Sequence, residues 1–130
     1  MSSKTTYWLE LCDDDLMTAK ALLDAKRLLH MGFFCHMIAE KAIKAVIADV
    51  TNEVPPKIHN LIKLADFCGV INDLSDEQLR LLDDLKPLQI EARYPEYKTA
   101  IKETLTFERC KRLLIETEEF LCWIKKRLEK

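Results

Sequence analysis

Three groups of side chains in this 130-residue sequence have the types and spacing to do chemistry. The first is a charged row, His36, Glu40 and Lys44, in which every member is four residues from the next, with Lys41 beside it. Four-residue spacing on a helix puts such a row on one face. Its plain reading is a Glu40–Lys44 ion pair on an exposed surface, worth about 0.3–0.5 kcal/mol. Its functional reading is a polar stripe lining a cleft in an otherwise apolar helix. The second group is His59, in "PPKIHNLIKL", whose ring either caps a turn or fills the start of the helix that follows. The third is "EARYPEYK" at 91–98, with Arg93, Tyr94 and Tyr97. A guanidinium fork suits phosphate or carboxylate, and tyrosine rings stack on bases.

Other chemistries are poorly supplied. No His-x-x-x-His or His-Glu-x-x-His pattern occurs, and the acids show no metal spacing, so no metal is expected. Cys35 adjoins His36, but neighbouring helix positions do not face each other, which removes a Cys-His nucleophile of local origin. With only Gly32 and Gly69 there is no glycine-rich phosphate loop. Phosphate binding would fall to Lys41, Lys44, Arg93 and the basic tail, and no cofactor is implied.

Helices must position these groups. Two glycines, four prolines and no Asn-Gly or Asp-Gly turn leave room for little else. Apolar periodicity places a first helix at 5–30, with Trp8, Cys12, Leu16, Ala19 and Leu23 on its inner stripe and Asp13–Asp15 favouring the N-terminal dipole. "HMG" at 30–32 reads as the break. A second, very apolar helix follows at 33–50, then a Pro-Pro loop at 51–56 and a short helix at 58–68 with Gly69 as its C-cap. Ser75 and Gln78 form a capping-box pattern for a fourth helix, interrupted by Pro87. Residues 93–103 read as a connector. The fifth helix is placed at 105–128, anchored by Phe107, Leu114, Leu121, Trp123, Ile124 and Leu128. The expectation is a single all-α domain over 1–130, an up-and-down antiparallel bundle of about five helices.

Lys+Arg number 20 against 22 Asp+Glu, so the chain as a whole exerts little steering toward nucleic acid. Residues 109–130 carry seven basic and four acidic side chains, a local patch that reads as a solvated face. Five cysteines without Cys-x-x-Cys argue against a disulfide framework and fit a reducing, cytoplasmic setting. No apolar signal core and no 18-residue apolar window occur, so no membrane association is expected.

Four stretches occur in a telling order: "WLELCDDDLMTAKALL", "GFFCHMIAEKAIKAVI", "PPKIHNLIKL" and "IEARYPEY". Together they resemble the HEPN domain across essentially the whole chain, with "AEKAIKA" and "ARYP" the most specific pieces. The resemblance implies a bundle of about five helices and a homodimer. It also implies a minimal nucleotidyltransferase as a partner encoded alongside, in a pair that looks like a toxin–antitoxin system or a split transferase with a helical substrate-binding subunit. Many members are metal-independent ribonucleases carrying an arginine and, after about four to six intervening residues, a histidine. Arg93 stands where that arginine would lie, but the last histidine in the chain is His59. Arg27 is followed by His30 too soon and by His36 too late. Without that proton carrier the expectation leans away from an enzyme. It is a non-catalytic module binding a nucleotide or RNA, or the transferase partner, through Arg93, Tyr94, Tyr97, His36, Glu40, Lys41, Lys44 and His59. The alternatives are a ribonuclease toxin with a degenerate motif, its histidine supplied through space by His36 or His59, and a purely structural module.

Overall fold

The computed structural model describes residues 1–89 and 95–129, excluding the side chains of 95–98 and 100. Arg93 and Tyr94 lie outside the described residues, as does the side chain of Tyr97. Within them the chain forms six α-helices and no strand: α1 (Ser3–Asp24), α2 (Leu28–Thr51), α3 (Leu61–Phe67), α4 (Asp76–Leu85), α5 (Pro95–Thr104) and α6 (Phe107–Leu128). Short 3₁₀ turns at Val70–Asp73 and Lys86–Gln89 flank α4. This is the expected all-α bundle.

Local chemistry sets most helix ends. Ser2, Asn60 and Thr106 each accept the backbone N–H three residues on, at 3.0–3.2 Å, which satisfies donors that a helix start leaves free. Ser75 and Gln78 make the full capping box, Gln78 N–H to Ser75 Oγ at 3.1 Å and Ser75 N–H to Gln78 Oε1 at 2.9 Å. Gly69 ends the α3 segment at φ 79°, in the left-handed region.

Three boundaries differ from the sequence reading. The first break lies at Ala25–Arg27, five residues before "HMG". There Arg27 N–H bonds to Leu22 O at 2.8 Å and Lys26 N–H to Leu23 O at 2.9 Å, a Schellman closure with Lys26 at φ 58°. A lysine holds the position that usually shows a glycine, so the stop carried no punctuation. Gly32 instead sits inside α2, where an added Cβ would stand 3.0 Å from Leu88 Cδ1. It serves close packing rather than a turn. Lys26→Gly relieves the left-handed backbone, and we expect a gain of about 0.5–1 kcal/mol in a urea melt. An unchanged midpoint would show that Lys26 bears no strain.

The second difference is α5, which occupies the expected connector. Pro95 is its first residue, where a missing N–H costs nothing and the ring presets a helical φ. The third is α3, which starts at Leu61 rather than Ile58 because Asn60 takes the cap. His59 consequently lies in the segment that approaches the helix.

The core forms around α2, buried from Leu29 to Ala48 on almost every side. Two ion pairs join α1 and α6 in reversed chain order, Asp13 with Lys125 at 2.6 Å and Lys20 with Glu118 at 3.2 Å, so these helices run antiparallel. Asp15 pairs with Lys41 of α2 at 2.6 Å. The aspartate run thus ties helices together from mid-helix and does not serve the α1 N-terminus. On α6 the buried aromatic is Phe120. Phe107, an expected anchor, is 39% exposed, and Trp123 is half-buried.

Candidate functional site

The four-residue row on α2 faces inward. His36, Glu40 and Lys44 are 1%, 2% and 6% exposed, which corrects the plain reading of a surface ion pair. Glu40 is the hub. Its Oε2 accepts from Lys44 Nζ at 3.0 Å, and both its oxygens lie 3.2 Å from His59 Nδ1. His36 Nδ1 stands 3.8 Å from Oε1, beyond hydrogen-bonding reach, and has no partner. From α1, the Trp8 ring lies under the Lys44 ammonium, 5.6 Å from its centroid. A buried carboxylate is thereby matched by one buried cation and one imidazole, which offsets a desolvation cost that neither charge could bear alone.

His59 differs from its neighbours in being 59% exposed at the side chain. The carboxylate oxygens can only accept when ionised, so Nδ1 is the ring nitrogen placed to donate to Glu40, and the ring's other nitrogen, Nε2, is left for a different partner. Carboxylate, oriented imidazole and second nitrogen form the arrangement that general acid–base catalysis uses.

Beside this hub a pocket of about 290 Å³ opens between α2, the start of α3 and the end of α4, bordered by His36, Asn60, Lys63, Leu82, Lys86 and Gln89. Gln89 is four residues before Arg93 in the chain. The structure therefore brings four of the candidate residues together: His36, Glu40, Lys44 and His59. Lys41, one position round the helix, turns to α1 and Asp15. Trp8, Lys63 and Lys86 were not singled out from the sequence. Trp8 reads there as an ordinary core residue and the two lysines as solvated charges. The one available signal was "HNLIK", in which Asn60 and Lys63 have cap spacing.

Cys12, Cys35 and Cys110 are buried and make poor nucleophiles. Burial pushes the Cys12 and Cys35 thiols up to about 12 and that of Cys110 to about 11, so these three are not thiolates near neutral pH. Among the described residues no group of three or more His, Cys, Asp or Glu side chains is placed to hold a metal ion. Nor is any helix there long and apolar enough to cross a membrane.

Burial pulls the His36 ring down to about 4, with the Glu40 carboxylate opposing only part of the shift. The folded chain then keeps the ring neutral where an unfolded histidine, with a pKa of about 6.5, takes a proton. Between about pH 6.5 and pH 4 the unfolded state binds more protons, so this residue's contribution to stability falls as pH falls, by up to about 3 kcal/mol. Above that window its contribution does not vary. Urea titrations of the wild type and His36→Gln from pH 7.5 to 4 measure it as a change in the gap between the two curves. A gap that stays constant across the window would contradict a buried neutral ring.

No curated protein and no solved structure matches the chain significantly. The family described as HEPN domain matches residues 5–128, nearly the whole length and all six helices apart from the first two residues of α1. With that match and the helical bundle beneath it, the chain belongs to the HEPN domain family.

Proposed function

We propose that this chain is a non-catalytic HEPN module that forms a homodimer and binds a nucleotide, or a minimal nucleotidyltransferase partner, at the surface where α2 meets the end of α4. The observation that carries this reading is the Glu40 hub beside the pocket. Buried charge is costly, and apolar packing alone does not call for it. Here the charge holds an imidazole at the surface next to a concavity bordered by two lysines. Arg93, a few residues beyond Gln89 in the chain, supplies a further anion contact, with Tyr94 and Tyr97 as stacking partners for a base. The absence of a histidine after Arg93 argues against catalysis. The cytoplasm is the compartment that suits five cysteines without a pairing pattern.

Titration calorimetry with the four ribonucleoside monophosphates and with a short RNA, on wild type and Arg93→Ala, tests the reading. Light scattering reports the dimer, and co-purification with a co-expressed minimal nucleotidyltransferase reports the partner. Nucleotide binding weakened by Arg93→Ala supports the module. A monomeric chain that captures neither nucleotide nor transferase leaves only the purely structural reading.

A second reading has its own observation: both Glu40 oxygens lie 3.2 Å from Nδ1 of the exposed His59, which fixes the ring's orientation at the surface. Under it the chain is a metal-independent ribonuclease in which His59 replaces the missing motif histidine through space. Incubation with defined RNA in EDTA distinguishes the two. Cleavage that falls by about 10²-fold or more in His59→Ala, the size of a lost general acid or base, favours the ribonuclease. Intact RNA favours the binding module.

A further inference from the structure

The charges of α6 fall into two sets. Glu118, Lys125 and Arg127 pair within the chain, with Lys20, Asp13 and Asp73. Arg109, Arg112, Glu116 and Glu119 do not: among the described residues none of the four enters an ion pair. All four are exposed or half-buried, and all line one groove of about 790 Å³ between α4 and α6. The α4 wall adds Glu77 and Arg80, again of both signs and again outside any ion pair among the described residues. Charges of both signs thus face one groove without engaging each other across it.

The order of the four also runs against what α6 itself prefers. Acids suit a helix N-terminus and bases its C-terminus, and a four-residue ion pair is better with the acid first. Here both arginines precede both glutamates, and Arg109 stands in the first turn. Arg112 and Glu116 have the four-residue spacing and still do not pair. Stabilisation of the helix therefore does not account for the pattern. Its symmetry points outside the chain. Arg109 and Arg112 are three residues apart, Glu116 and Glu119 likewise, and the two sets lie evenly about position 114. An antiparallel second copy of α6, with a two-fold axis at that position, sets Arg112 opposite Glu116 and Arg109 opposite Glu119. The two-fold repeats both contacts. An isologous contact needs a patch that complements itself in this way. Ile115, 50% exposed, is one residue from the axis, so the two copies of this apolar side chain lie near the centre with the charges around them.

We propose that two copies of this chain associate across this face of α6, antiparallel, through Arg109–Glu119 and Arg112–Glu116 pairs between protomers. The inference rests on the homodimer in the reading above and adds to it a surface, an axis and a charge register.

Light scattering over a dilution series tests it on wild type, Arg109→Glu/Arg112→Glu, Glu116→Arg/Glu119→Arg, the fourfold variant that combines both pairs of substitutions, and an equimolar mixture of the two double variants. Each double variant alone places like charges face to face and should raise the dimer dissociation constant by about 100-fold or more. The mixture should recover the dimer mass, because the glutamates of one variant then meet the arginines of the other at every position. The fourfold variant should recover it alone, which also shows that the substituted helix still folds. Double variants that dimerise like wild type would overturn this surface and leave the homodimer reading intact. Double variants that are monomeric, with a mixture and a fourfold variant that stay monomeric, would overturn the charge register. A wild type that is monomeric throughout overturns both the inference and the homodimer.

Discussion

Replacing Glu40 with leucine is expected to lower the unfolding free energy by about 3–5 kcal/mol, the usual cost of removing one partner from a buried ion pair. The reason lies in what remains. Lys44 is 6% exposed, and among the described residues its ammonium would keep only the Trp8 ring as a partner. His59 would lose both of its Glu40 contacts and His36 its neighbouring carboxylate. Against a total stability of about 5–15 kcal/mol for a domain of this kind, the variant would stand near the edge of folding. The double variant Glu40→Leu/Lys44→Met separates charge from shape. Removing both ions removes both desolvation costs, so it should recover most of the loss. His59→Ala should cost about 1 kcal/mol or less, because a ring that is 59% exposed already has water as a partner. Urea melts of the three variants check the series. A Glu40→Leu variant as stable as wild type would mean that the hub contributes nothing to folding.

Phe120→Ala is the second large effect, at about 3–5 kcal/mol, from lost apolar transfer and the cavity left behind. Phe120 is 1% exposed and stacks on Trp123, with 6.1 Å between centroids and 28° between planes. Phe107→Ala, at the exposed start of α6, should cost about 0.5 kcal/mol or less, as surface substitutions usually do. Thermal melts of both give the ratio. Equal losses would place the α6 anchor at the wrong aromatic. The pair is informative because helical periodicity picks out Phe107 as readily as Phe120. Both lie on strongly amphipathic stretches, and only the neighbours that reach α6 decide which ring is covered.

Several features were legible from local rules. The Ser75–Gln78 capping box, the Gly69 stop and the disruption at Pro87 each depend on residues within one turn of each other, so sequence spacing suffices to read them. The α1 stripe of Cys12, Ala19 and Leu23 is buried as its periodicity implies, with Trp8 and Leu16 packed at its margin. Local rules failed where an unusual residue did a common job. Lys26 closes α1 in the position of a glycine, Gly32 sits mid-helix to admit Leu88, and Pro95 starts a helix inside the expected connector. The candidate site divides in the same way. That His36, Glu40 and Lys44 share a face follows from a period of 3.6. That the face is buried, and that Lys41 turns away from it to Asp15, does not follow.

The sequence by itself determined the helical class, most of the caps, the HEPN resemblance and the missing histidine after Arg93, because each is a matter of composition, short spacing or order along the chain. Only the tertiary structure decided what Glu40 is. Its meaning depends on Trp8 from α1, which closes over Lys44, and on His59 from the approach to α3, which reaches its oxygens. Those partners are far from Glu40 in sequence, and no local propensity records their approach. The cost of a charge is set by the solvent it loses, and only the packed bundle determines that loss.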